Sequence, residues 1–174
     1  MVDLRYEIDK IFDEYGSYAL LLRNDKKVRC KCVNELSQAP KDTCQICLGT
    51  GYINKAERIR MRSKATSSSE TLPKVVNFTS AGSIGIALRQ FYIDYTVRPK
   101  KQDLLILCDW DGVKPILDEY TEIYEIANTE PMRGDGGRIE YFIAVAKSDP
   151  INMELRFVNL QRNADKLTYY ITAR

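Results

Sequence analysis

Histidine is absent from all 174 residues. That one absence removes Ser-His-Asp and Cys-His catalysis, histidine-ligated zinc and any imidazole pH switch from the functions open to the chain. An enzyme made from this sequence would have to use carboxylates, Lys, Tyr or Cys, and no carboxylate pair stands in a distinctive context, so the chain reads as a non-enzyme without a small-molecule substrate. Long apolar runs are missing too. No stretch approaches the roughly 18 uncharged apolar residues of a membrane helix. The start, with Asp3, Arg5, Glu7 and Asp9, lacks an apolar secretion segment, which predicts no membrane partner and a cytoplasmic place of assembly with reduced thiols.

Charge is present in near balance but unevenly placed. From Leu22 to Lys64 there are 11 Lys/Arg against 4 Asp/Glu, an excess of +7, whereas the whole chain is only +2 and the remainder therefore −5. A basic segment on an acidic body predicts an anionic partner or a second copy of the chain, with the two charges on different faces. Leu4, Ile8, Ile11, Phe12 and Tyr15 recur with helical period behind Asp3 as cap, and Gly16 offers a left-handed stop. Tyr18 to Arg23 is a short apolar run, Tyr52 to Met61 is charge-rich, and Ser63 to Thr71 is too polar to bury a core and reads as a linker.

Strand patterns dominate after Pro73. They cover Val75–Phe78, Ile84–Val97, Leu104–Cys108, Tyr120–Ile126, Ile139–Ala146, Leu155–Leu160 and Leu167–Ile171, with Asp109-Trp-Asp-Gly112 as a turn. The expected fold is mainly β: a small antiparallel barrel or sandwich with an N-terminal helix and a zinc-knuckle module. The expected division is 1–62 for helix and cysteine module, 63–72 for a linker, and 73–174 for the barrel.

The segment with most chemistry is Cys30-Lys-Cys32, eleven residues, then Cys44-Gln-Ile-Cys47-Leu-Gly-Thr-Gly51. Four thiolates form the soft tetrahedral set that Zn2+ favours, and Gly49 and Gly51 permit a tight turn after the second pair. The C-x-C pair is shorter than usual, yet residues i and i+2 of an extended chain face one side about 6.5 Å apart. Cys30, Cys32, Cys44 and Cys47 are thus the candidate metal ligands. Because four cysteines leave no open position, such an ion staples a loop; a disulfide pair and an iron–sulfur cluster are the other readings. Cys108, inside an apolar run, reads as a small buried hydrophobe. Asp109, Asp111 and Asp118 fit a hairpin better than a cation site, and Arg133-Gly134-Asp135 with Gly136 and Gly137 reads as a hairpin tip.

Leu22-Arg-Asn-Asp-Lys-Lys-Val-Arg-Cys-Lys-Cys32, together with Cys44-Gln-Ile-Cys-Leu-Gly-Thr-Gly-Tyr52, resembles the cysteine cluster of neck-region virion proteins of tailed bacteriophages. Its second half is also similar to the C-x-x-C-x-G-x-G units of J-domain co-chaperones, which come as four repeats where this chain has one. From Tyr92 to Leu160 the order of strand, Asp-Gly turn, strand, Gly-rich tip and strand is similar to the small β-barrel of head-closure and head–tail joining proteins. The resemblance implies a structural protein of the virion neck, a head–tail connector acting in head completion. It implies a homo-oligomeric ring that meets portal or adaptor and tail proteins and holds packaged DNA in its channel. Ser63–Thr71 and Thr79–Gly85 are the candidate loops to project into that channel. The alternative is a zinc-ribbon nucleic-acid-binding protein using Arg23, Lys26, Lys27, Arg29, Lys31, Arg58, Arg60 and Arg62 on phosphates.

Overall fold

The computed structural model describes residues 3–65, 88–148, 154–163 and 166–174. Helix α1, Leu4–Tyr15, begins where the Asp3 side chain accepts the Arg5 N–H at 3.2 Å. It ends at Gly16, which is extended (φ −79°) rather than left-handed. The glycine is needed for space: a Cβ there would stand 2.3 Å from the Phe12 carbonyl oxygen.

Strand β1, Ser17–Arg29, follows at once, and β2 is Tyr52–Ala65. Next come β3, Leu88–Asp94; β4, Leu104–Leu107; the short pair β5, Asp109–Asp111, and β6, Lys114–Ile116; and β7, Glu122–Arg133. After a 3-10 turn at Asp135–Gly137 the chain continues as β8, Ile139–Ser148; β9, Leu155–Asn163; and β10, Lys166–Ala173. All pairings are antiparallel. The order β1-β4-β7-β8-β3-β2, with β2 returning to β1, closes six strands into a barrel. Closure leaves no free edge on the ring itself.

Strand β2 is where the sheet branches. It pairs with β1 from Tyr52 to Met61, with β3 from Met61 to Ala65, and with β10 from Asn54 to Glu57, and β9 extends the sheet beyond β10. The interior is filled by Leu21, Ile59, Met61, Phe91, Ile93, Leu105, Tyr124, Ile126, Phe142 and Ala144. A second apolar cluster lies outside the ring, where Leu20, Leu22, Ala56 and Ile106 meet Tyr169 and Ile171 of β10, with Trp110 packed against them. Ala19-Leu-Leu-Leu22 and Leu104-Leu-Ile-Leu107 are continuous apolar runs for this reason: one set of side chains enters the barrel and the other enters the outer cluster.

The barrel therefore starts at Ser17, not at Pro73, and the division at residues 62 and 73 does not follow the sheet. Residues 30–51 stand outside it as an insertion between β1 and β2. Ser63 to Ala65, read as linker, belong to β2 and pair with Phe91 to Arg89. The remainder of that linker, the strand at 75–78 and the channel candidate at 79–85 fall outside the described residues. The Asp-Gly turn is present, with Gly112 at φ +58° between Asp111 and Lys114.

Two buried ionic groups fix the periphery. Glu140, 3 % exposed, holds Arg5 of α1 at 3.3 Å and Arg138 at 2.9 Å, while Arg138 reaches Asp3 at 2.8 Å, so the helix is clamped to β8. Arg23 donates to the carbonyls of Val97 and Arg98 and pairs with Glu57 at 3.2 Å and Asp103 at 3.5 Å. Both desolvated carboxylates, Asp103 and Glu140, are thus matched by a guanidinium, as burial requires.

Candidate metal centre

Residues 30–51 connect β1 to β2, and the last hairpin pair, Arg29 with Tyr52, is followed by a bond from the Cys30 N–H to the Gly51 carbonyl at 2.9 Å. This closes the neck of the insertion. Cys30 and Cys32 leave the end of β1, where the Val33 N–H returns to the Cys30 carbonyl at 3.2 Å. Cys44 and Cys47 lie on consecutive turns, set by the Cys44 N–H to Lys41 carbonyl bond at 2.9 Å and by the Thr50 hydroxyl donating to the Cys47 carbonyl at 2.6 Å. The two glycines after the second pair adopt φ +79° and +78°. A side chain at Gly49 would press on the Asp42 carbonyl at 3.1 Å, and one at Gly51 on Pro40 at 3.2 Å. Glycine is needed at both positions for backbone sign and for space.

All four sulfurs lie within 4.8 Å of one another, and Cys30, Cys32, Cys44 and Cys47 are the group among the described residues that could hold a metal ion. Spatial neighbours cross the two halves of the motif: Cys32 Sγ is 3.3 Å from Cys47 Sγ, and Cys30 Sγ is 4.0 Å from Cys44 Sγ. A tetrahedron with metal–sulfur bonds of about 2.3 Å has edges of about 3.8 Å, so this set could hold a metal ion. Cys30 and Cys47 are buried and the other two half-buried.

The electrostatics divide the sulfurs. Backbone N–H groups of Cys47 and Ile46 draw the Cys44 thiol down to about 6. Cys32 has a backbone N–H from Lys41 that acts in the same sense, but burial and the crowding of Cys47, Cys44 and Cys30 outweigh it and push the thiol up to about 12. Burial also raises Cys30. Cys44 is thus favoured as a thiolate, whereas Cys30 and Cys32 are held toward the thiol and would be drawn to ionise by a bound cation.

The insertion is tied to distant parts of the chain. Arg156 of β9 donates to the Gln45 carbonyl at 2.6 Å, and the fully buried Thr172 of β10 donates to the Ile46 carbonyl. On its other side Asn34 Oδ1 accepts the N–H groups of Leu36 at 2.8 Å and Ser37 at 3.2 Å, and Arg29 donates to Gln38. Arg156 and Thr172 carry no local signal, because their role depends on a pairing of β10 with β2 made more than 100 residues away.

The other sequence candidates fall elsewhere. Cys108 packs on the outer cluster, and burial, then Asp109 and Asp118, push its thiol up to about 11. Asp109 and Asp111 belong to the β5–β6 hairpin. Six of the eight cations proposed for phosphates, Arg23, Lys26, Arg29, Arg58, Arg60 and Arg62, have partners inside the molecule. Arg58 stacks between Tyr18 at 3.8 Å and Trp110 at 4.3 Å, Arg60 binds Asp9 and Asp13 of α1, Arg62 lies over Tyr15, and Lys26 joins Arg23 on Glu57. Basic and acidic segments are therefore not separated on different faces along β2; they meet at the α1 contact. No protein-family model matches the chain, and no curated protein matches it.

Proposed function

We propose that the chain is a structural protein of the neck of a tailed-bacteriophage virion, joining the DNA-filled head to the tail as a homo-oligomeric ring, with one zinc ion holding its cysteine module. The observation that carries this reading is the closed barrel itself. The order over Tyr92 to Leu160 that resembles head-closure proteins corresponds to consecutive strands β3 to β9, with the Asp-Gly turn between β5 and β6 and the glycine tip between β7 and β8. The buried charged side chains add support, because Arg23, Asp103 and Glu140 are all engaged in fixing loops and the helix. Such groups serve a scaffold. Zinc is the metal that four reduced thiolates in a closed tetrahedral set favour. The nucleic-acid-binding alternative has less support, since Arg23, Arg58, Arg60 and Arg62 are engaged within the chain.

The test is the composition of virions and the morphology of particles assembled without the chain. The proposal expects the protein in purified virions and, when it is missing, heads that lack tails or leak DNA. Complete infectious particles formed without it would contradict the reading.

A further inference from the structure

The four sulfurs are grouped more tightly than a metal requires. Cys32 Sγ meets Cys47 Sγ at 3.3 Å, inside the roughly 3.8 Å edge of a zinc–thiolate tetrahedron, and Cys30 Sγ meets Cys44 Sγ at 4.0 Å. Both contacts join the β1 end of the insertion to the half of the motif that leads into β2. Neither lies within the C-x-C pair or within the C-x-x-C pair.

Each contact also pairs sulfurs in unlike surroundings. Cys47 and Cys30 are buried, at 0 % and 4 % exposed, whereas Cys32 and Cys44 are half-buried. An oxidant arriving from solvent therefore meets Cys32 or Cys44 first, and the sulfur in contact with it is one that solvent barely reaches. An accessible sulfur beside a sheltered one is the arrangement in which oxidation of the first ends in a bridge to the second.

The backbone around the sulfurs has its own supports. The Cys30 N–H closes the neck on the Gly51 carbonyl, the Cys44 N–H bonds to the Lys41 carbonyl, and the Thr50 hydroxyl donates to the Cys47 carbonyl. Arg156 and Thr172 hold the carbonyls of Gln45 and Ile46. None of these bonds uses a sulfur, so all can outlast a change in what links the four. A covalent bond at either contact, with sulfurs about 2.05 Å apart, closes the same loop that the metal closes. It spans 15 residues for Cys32–Cys47 and 14 for Cys30–Cys44.

We propose that the cysteine module is an exchangeable staple: a hydroperoxide converts its zinc-holding form into a metal-free form bridged Cys32–Cys47 and Cys30–Cys44, with the loop kept in place. For each bridge, the thiolate of Cys32 or Cys44 attacks a peroxide oxygen, the O–O bond breaks, hydroxide leaves and a sulfenic acid remains. The sheltered thiolate of Cys47 or Cys30 then attacks that sulfur, the S–S bond forms and a second hydroxide is expelled. Over both bridges four thiolates lose four electrons, two hydrogen peroxide molecules become four hydroxide ions, and Zn2+ departs with its oxidation state unchanged. A dithiol reverses the exchange by being oxidised to its own disulfide, which returns four thiols to the metal. The inference rests on the proposed zinc centre and is independent of the virion assignment. Its consequence is a β1–β2 connection that stays stapled among reduced thiols and in oxidising surroundings alike.

The experiment treats the zinc-loaded full chain with hydrogen peroxide and follows bound zinc, free thiols and the positions of the bridges. Bound zinc should fall from about one equivalent to less than about a tenth. Free thiols should fall from five to one, because Cys108 packs on the outer cluster, away from the other four. Trypsin cuts after Arg29, Lys31, Lys41 and Lys55, so after denaturation the expected bridges tie residues 30–31, 32–41 and 42–55 into one species. Fragmentation between Cys44 and Cys47 then assigns each bridge. On the native chain, cleavage at Lys31 and Lys41 should be at least about tenfold slower in the oxidised form than in the reduced, metal-free form made by chelation. Dithiothreitol with added Zn2+ should restore about one equivalent of metal. A chain that holds no zinc before peroxide overturns the proposed centre and the inference together. A zinc-loaded chain overturns the inference alone if it bridges Cys30 to Cys32 or Cys44 to Cys47, if Cys32 and Cys44 gain oxygen without bridging, or if the oxidised form is cut as fast as the reduced, metal-free one.

Discussion

Cys44 is the sulfur of the candidate metal site best disposed to ionise, since the N–H groups of Cys47 and Ile46 draw its thiol down to about 6 while Cys32 is pushed up to about 12. Cys44→Ser should therefore lower bound zinc from about one equivalent to less than a tenth, measured after dialysis against a weak chelator. Glu140 is the equivalent residue for the helix. Its removal leaves Arg5 and Arg138 without their shared carboxylate, and Glu140→Ala should cost about 3 kcal/mol in urea unfolding. A third residue sets the acid limb of stability. Burial pushes the Glu57 carboxyl up, but the hydrogen bonds and charges of Arg23 and Lys26 outweigh it, and the net position is below the ordinary 4.5. A depressed carboxylate contributes fully above its unfolded value and loses that contribution as pH falls through the folded value. Melting temperature should fall below pH 4.5, and Glu57→Gln should flatten that limb, as a pH series of thermal melts would read.

Elements differed in how plainly their sequences announced them. Helix α1 and strands such as β8 bury one face, so Phe12 with its period of 3.6, or Phe142, Ala144 and Ala146 with their period of 2, stand out from polar neighbours. Strand β1 does not, because Leu20 and Leu22 face the outer cluster while Ala19 and Leu21 face the barrel, and a run buried on both sides has no alternation. In β2 the alternation Arg58-Ile59-Arg60-Met61-Arg62 is present. Its charge density hid it, and the reason for that density is that each arginine has an aromatic or acidic partner supplied by a remote element. The cysteine spacing was legible because metal ligation needs only four local residues, while the anchors Arg156 and Thr172 needed the β2–β10 pairing to be known. Thr172→Val keeps the shape of the side chain but leaves the Ile46 carbonyl without its donor, at about 1–3 kcal/mol. Zinc transfer to a competing chelator should quicken by about tenfold, since about 1.4 kcal/mol is a factor of ten.

At the scale of the molecule, the barrel and the insertion contribute to stability in different ways. The interior cluster from Ala19 to Ala146 is complete without any residue of 30–51, whereas those residues own no core beyond their sulfurs and the two anchors on β9 and β10. Removing the metal should loosen the β1–β2 connection and lower the melting temperature while the far-ultraviolet β signal persists, because lengthening a flexible loop costs little for each doubling. Charge is also balanced within the chain: part of the excess of Leu22 to Lys64 is met by Asp9 and Asp13 on Arg60 and by Asp103 on Arg23. The part proposed for the insertion depends on the four thiolates sharing one ion. Elemental analysis of the purified chain measures that directly: the account predicts one zinc per chain, and a metal-free protein with four freely titrating thiols would contradict it.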